Sequence, residues 1–208
     1  PSTATGTATP SRVASDTTSI QDTLLTILPR SLTVLNPSEA TDQDSLTVTR
    51  ATAQAHSLTS IADLTSLGRP ITIAANSEFT TRPYGPDGLK AVYGVDASVT
   101  PVEDSGGPLT VEALTKGDVD VADIYTSSPA IDDNGLVVLQ DPQHLVLPQN
   151  VVPLVSESLN ARAVQAINAV QAALTADELR ALNKRSTGEQ LDSATIAKDW
   201  LTKQGLLA

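Results

Sequence analysis

From Gly106 to Pro129 the chain reads GGPLTVEALTKGDVDVADIYTSSP, and this succession of patterns admits few folds. The spacing predicts a short amphipathic helix from about Thr110 to Lys116. The Thr110 hydroxyl is placed to cap its start. Gly117 is placed to end it, because glycine enters the left-handed conformation without a Cβ clash. The following Asp118-Val119-Asp120-Val121-Ala122-Asp123-Ile124-Tyr125 alternates as a strand does, with Val119, Val121 and Ile124 directed inward. On this reading Asp118, Asp120 and Asp123 form the polar face and ends of a half-buried strand. The strand runs out into Tyr125-Thr126-Ser127-Ser128, a polar tip led by an aromatic, at the place where open α/β sheets receive their ligands.

Helix and strand patterns alternate over the rest of the chain. Residues 1–15 are rich in Thr, Ser, Pro and Ala and read as a lead-in without a core. A helix is expected from Asp16 or Thr17 to about Leu28, where Pro29 stops it. Strands are expected at 32–35, 45–49, 70–75, 136–139 and 150–155, and helices at 58–67 (capped by Thr59), 86–93, 160–174 and 193–204. Thr175-Ala176-Asp177-Glu178 has the form of a capping box opening one more helix. Asn76 to Asp87 reads as a long polar loop. Such alternation predicts an α/β fold with a parallel or mixed sheet covered by helices. The stretch from about 46 to 135 looks self-contained, and the helical tail pairs with residues 16–35 as a second unit.

Composition excludes several classes of function. Aromatic residues make up 2% of the chain, so the core must be built from Leu, Val, Ile and Ala, and Tyr125 stands out. A net charge of −11 argues against nucleic acid and against anionic lipid, both of which need Lys/Arg patches. The absence of cysteine removes disulfides, thiolate metal sites and Cys nucleophiles. His56 and His144 fall in no metal-binding spacing, and no nucleophile elbow or phosphate loop is present. No cofactor is implied. The sequence begins at Pro1 and contains no methionine, so it reads as a mature form, a processed form or a fragment.

Two features are left with open readings. Asp42 and Asp44 share a side if their loop is extended, and they read either as an acid–base pair or as a solvated loop. Arg82, in Glu78-Phe79-Thr80-Thr81-Arg82, reads either as a clamp for a carboxylate or as a surface ion pair with Glu78.

Three blocks occur in an order that resembles one family: LTVLNPSEATDQDSLTVTRATAQAHSLTSIADL, NSEFTTRPYGPDGLKAVYGVD, and LTVEALTKGDVDVADIYTSSPAIDDNGLVVLQDPQHLVLPQNVVPLV. The family is that of the glycine betaine, choline and osmoprotectant-binding proteins of ABC importers, and the likeness runs from about Thr17 to the end. It implies a type II periplasmic-binding-protein fold of two α/β lobes with mixed sheets and a ligand in the cleft. Residues 1–45 would then be a partial first lobe, 46–139 the second lobe, and 140–208 the return crossing and C-terminal helices of the first. Relatives are longer at the amino-terminal side, so the first lobe is expected to be incomplete and open to self-association through exposed sheet edge.

The resemblance also implies a ligand cage. Tyr125 matches a cage position, Thr126 a lining position and Arg82 an anion-clamping position. Gln149 and Asp44 stand where relatives often carry aromatics, and Asp44, with Asp42 near it, offers charge in place of a π face. The implied role is that of a non-enzymatic, extracytoplasmic receptor in the periplasm or at the cell surface, anchored through a segment ahead of Pro1. It would pass a small-molecule solute to an ABC permease in the membrane. The alternatives are a self-associating or partner-binding lobe and, further off, a carboxylate-dependent enzyme.

Overall fold

The computed structural model of the chain describes residues 16–207, so the lead-in expected over 1–15 lies outside the described residues. The chain opens with α1 (Thr17–Ile27), whose first turn is capped by the Asp16 carboxylate accepting the Ser19 N–H at 3.0 Å. Then come β1 (Leu32–Val34), β2 (Leu46–Thr49), α2 (Arg50–His56), a 3₁₀ helix over Ile61–Leu67, and β3 (Ile71–Ala75). A second 3₁₀ helix, Ser77–Thr81, precedes α3 (Pro86–Tyr93), β4 (Ala97–Pro101), α4 (Pro108–Lys116) and β5 (Val121–Asp123). The rest is α5 (Ala130–Asp133), β6 (Leu136–Val138), β7 (Leu154–Ser156), α6 (Ala161–Ala173), α7 (Ala176–Thr187) and α8 (Ser193–Lys203).

Five strands form one mixed sheet in the order β4-β3-β5-β2-β6. β3 runs parallel to both β4 and β5, while β2 runs antiparallel to β5 and β6. Because side chains alternate along a strand, the two faces build two cores. Ile71, Ile73 and Ala75 pack with Val121, Leu64 and Leu89 on one face. Ala74 and Ala122 pack with Val111, Leu114 and Ile131 on the other. The expected inward Val119, Val121 and Ile124 are buried, but so is Ala122, so β5 is covered on both faces and is not the half-exposed strand that its alternation suggested.

Several local expectations are corrected. Thr110 does not cap α4. The helix begins earlier, at Pro108, which supplies no N–H to be satisfied. The Asp104 carboxylate takes the Leu109 N–H at 2.6 Å and the hydroxyl of the buried Thr110 at 2.6 Å. The helix expected at 58–67 is a 3₁₀ helix entered through Ser60, in a capping box with Asp63, and not through Thr59. Thr175 does cap α7, accepting the Glu178 N–H, but the Glu178 carboxylate turns to Trp200 Nε1 at 2.7 Å. That bond ties α7 to α8 around a small third core of Ala40, Leu174 and Trp200. Four elements lie where none is expected from sequence: α2, β4, α5 and the 3₁₀ helix Ser77–Thr81, the last within the stretch read as a polar loop.

β1 and β7 form a separate two-stranded ribbon. Between the ribbon and the large sheet, the two connecting segments run side by side. Ser38 N–H bonds Val151 O at 3.0 Å, Val151 N–H bonds Ala40 O at 3.0 Å, and Asp42 N–H bonds Gln149 O at 3.1 Å. The tail is also pinned to the tip after β5. Arg180 pairs with Asp132 at 2.8 Å, and Asn183 donates to Ser127 O at 3.0 Å.

One glycine holds the loop after β4 against the end of β5. Gly106 has φ +73°, and a Cβ there would lie 2.9 Å from the Asp123 carbonyl oxygen. Gly106→Ala should therefore lose about 1–2 kcal/mol or more of stability, from the left-handed backbone and the displaced loop together. Urea unfolding checks this, and a change within about 0.5 kcal/mol would contradict it.

Candidate functional site

β3, β4 and β5 run in the same direction, so the segments that leave them emerge along one edge of the sheet. Chain order crosses from β4 on one side of β3 to β5 on the other, which opens a crevice at their carboxyl ends. Asn76 follows β3, Ser105 follows β4, and Asp123 and Tyr125 end β5. β2 is antiparallel and starts at this edge, with Leu46 opposite Asp123, which brings Asp44 alongside. The segment Glu78–Tyr84 closes the ring, and together these residues line one small pocket. The crevice is open to solvent and holds about 300 Å³ of space, its mouth included.

The pocket walls are held by local bonds. Asn76 Nδ2 donates to Ser105 Oγ at 3.0 Å and Asn76 Oδ1 accepts the Ser105 N–H at 3.0 Å, stapling the exits of β3 and β4 together. Phe79 is buried beneath the pocket, and the Tyr84 ring meets it edge-on at 5.8 Å. The Tyr84 hydroxyl donates to Asp44 Oδ2 at 2.7 Å. Burial and that bond raise the Tyr84 hydroxyl above the ordinary tyrosine range, so it stays a donor. Arg82 pairs with Glu78 at 2.9 Å, which is its ion-pair reading, and it also lines the pocket.

At the floor lies a feature that the sequence reading assigned to a strand's polar face. Asp123 is largely buried, and no donor reaches its buried Oδ1. Its neighbour is the Asp44 carboxyl. Burial first, then the Asp44 charge and a hydrogen bond to Asp44, push the Asp123 carboxyl up to about 8. Two carboxyls this close in a poorly solvated site cannot both be ionised without large cost, so the pair holds a proton. The same charges bear on Tyr125, whose hydroxyl is raised by burial and then by Asp44 and Asp123. Tyr125 is 38% exposed, with its ring at the pocket mouth.

The six residues singled out from sequence therefore divide. Asp44, Arg82 and Tyr125 surround the pocket. Asp42 accepts the Ser127 hydroxyl at 2.5 Å outside it. Thr126 is engaged in joining segments: its hydroxyl bonds Thr41 O at 2.8 Å and takes the Gln43 N–H at 3.2 Å. Gln149 lines a different depression, against α1. Asp44 is thus partnered by Asp123 and Tyr84 and not by Asp42. Asp123, Tyr84, Asn76 and Ser105 were missed. The scarcity of aromatics marks out Tyr84, and the carboxyl end of a strand marks out Asp123, but their convergence depends on sheet order. His56 and His144 are exposed. Among the described residues no group of three His, Cys, Asp or Glu side chains is placed to hold a metal, and no helix is long and apolar enough to cross a membrane.

Comparison with known proteins agrees with this architecture. Residues 5–203 match the family described as the substrate binding domain of ABC-type glycine betaine transport system. The glycine betaine-binding protein YehZ of Escherichia coli (strain K12) is 28% identical over 190 residues, covering 82% of this chain and 60% of that protein. The chain thus spans about 60% of the length of this curated relative. The crystal structure of a glycine betaine/carnitine/choline ABC transporter protein superposes with a TM-score of 0.77 at 22% identity, over 91% of this chain and 69% of the other. Apo YehZ from E. coli superposes with a TM-score of 0.72 at 26% identity, over 90% and 70% of the two chains. The fold is that of the type II periplasmic-binding proteins, and the chain belongs to the family of substrate-binding domains of ABC-type glycine betaine transport systems.

Proposed function

We propose that the chain is the solute-capturing part of an extracytoplasmic receptor that delivers a small osmoprotectant-like solute, a betaine, choline or related amine, to an ABC permease. The observation that carries this reading is the pocket at the carboxyl edge of the large sheet. There Tyr125, an aromatic with a polar tip, lines the same pocket as the carboxyls of Asp44 and Asp123 and the Arg82 guanidinium. A cation is drawn by the carboxyls and by the ring face, and a carboxylate on the same solute is met by Arg82 once it turns from Glu78. No covalent chemistry is needed for capture and release. Family membership and the likeness to YehZ support the transport role. In this reading the lobes are the units expected from sequence, residues 46–139 facing the ribbon-bearing remainder. The paired segments around Thr41 and Asn150 supply the hinge for closure.

A second reading, self-association, is favoured by exposed apolar side chains on α1 and the small ribbon: Leu25, Ile27, Leu32 and Leu154 are 50%, 70%, 36% and 55% exposed. A molecular mass by light scattering that rises with concentration, with no solute bound, would favour it over solute capture.

Calorimetry with betaines, choline, carnitine, amino acids and polyols tests the first reading. For the solute that binds, Tyr125→Ala should weaken Kd by roughly fivefold to thirtyfold, the equivalent of about 1–2 kcal/mol for a desolvated cation–π contact. Arg82→Ala should weaken solutes that carry a carboxylate and spare those that lack one. Equal affinities in wild type and both variants would remove the pocket from the account.

A further inference from the structure

The floor of the pocket is specific about the kind of cation it can satisfy. Asp123 Oδ1 is buried and receives no hydrogen bond from any described group, and Asp44 Oδ2 is already taken by the Tyr84 hydroxyl at 2.7 Å. A buried acceptor without a donor is costly, and a ligand that brings the donor recovers that cost. A quaternary ammonium has no N–H to bring. Of the aromatic side chains that line the pocket, Phe79 and Tyr84 pack on each other edge to face, the Tyr84 hydroxyl is committed to Asp44, and Tyr125 is exposed.

We propose, on the solute-binding reading above, that the inner end of the pocket takes a primary or secondary ammonium whose N–H groups bond the Asp44–Asp123 carboxyls, and that each bound cation displaces the proton held between them. The balance is simple. The protonated carboxyl gives its proton to bulk water, the ammonium keeps its own, and the site exchanges a proton for a cation with no bond broken on the solute. Specificity then differs from that of a betaine cage: each N–H replaced by methyl removes a donor and adds bulk at the floor.

The sign of the pH dependence follows. Asp123, pushed up to about 8 by burial and by Asp44, is protonated in the empty site below that pH. Cation affinity should therefore rise with pH toward 8 and level off above it, until the amine itself loses its proton. The other charged or titratable groups facing the pair are Tyr84, Tyr125, Arg82 and Glu78. Both tyrosine hydroxyls and the Arg82 guanidinium are shifted upward, away from this window.

Calorimetry on the chain with two methylation series tests the proposal: glycine, N-methylglycine, N,N-dimethylglycine and glycine betaine, and ethanolamine against choline. Titrations in buffers of different ionisation enthalpy count the protons released. The N–H members should bind at least tenfold more tightly than their fully methylated counterparts at pH 8. They should release close to one proton per cation near pH 6.5, with affinity climbing nearly tenfold per pH unit between about pH 6 and 7.5. Asp123→Asn should abolish both the proton release and the slope. The wild-type slope and proton count stand as a test even if that variant folds poorly. Glycine betaine or choline binding as tightly as the N–H members, or binding without proton release, overturns the proposal and leaves solute capture standing. So does binding of a solute from the wider panel when neither series binds. No binding by any solute in that panel overturns both readings.

Discussion

Two carboxyl groups in one poorly hydrated place cannot both carry a charge, and this constraint organises the functional edge of the molecule. It arises because β2 runs antiparallel to β5, with Leu46 opposite Asp123. That register sets Asp44, just ahead of one strand, beside the last residue of the other. Everything around the pair accommodates it. Tyr84 donates to Asp44, the Phe79 ring packs beneath Tyr84, and Gly106 lets the loop after β4 close over the end of β5 without a side chain in the way. The cores on the two sheet faces hold the strands at this register, and a slip of one residue would turn Asp123 away from Asp44.

The pair also gives the site its electrical character. Asp44, Asp123 and Glu78 outnumber the single guanidinium of Arg82, and Arg82 is engaged by Glu78. The pocket is therefore negative on balance, as the proposed capture of a cation requires. The tip after β5 contributes the Tyr125 ring, while its next residues work mechanically: Thr126 and Ser127 tie the tip to the segment at 41–43 and to α7. Motion of the two paired connecting segments would thus be felt directly at the pocket mouth.

Much of this was legible in the sequence, and the misses have physical causes. Helix α4, its end at Gly117, the following strand and the tip at Tyr125 are local patterns, set by side-chain period and by glycine, and they stand within a few residues of where they were read. β4 escaped notice because Ala-Ser-Val-Thr-Pro has little apolar content, and α2 because Arg-Ala-Thr-Ala-Gln-Ala-His carries no apolar stripe. The site was half legible. Asp44, Arg82 and Tyr125 stand out by their own patterns as well as by family resemblance and converge on one pocket, whereas Asp42, Thr126 and Gln149 lie outside it. Asp123 was hidden by its own strand: in a period-two pattern an aspartate between Ala122 and Ile124 reads as outward and solvated. Only the sheet order β4-β3-β5-β2-β6, which no local pattern contains, reveals that β5 is central and its end enclosed.

The central claim is that one proton is held between Asp44 and Asp123 at neutral pH. Carboxyl-carbon NMR of aspartate-labelled protein, titrated from pH 3 to pH 10, reads it directly. The account predicts one aspartate resonance that titrates near 8, is lost in Asp123→Asn, and moves to lower pH when a cation occupies the site. If every aspartate in the wild-type chain is ionised by pH 5, the shared proton does not exist and the account is wrong.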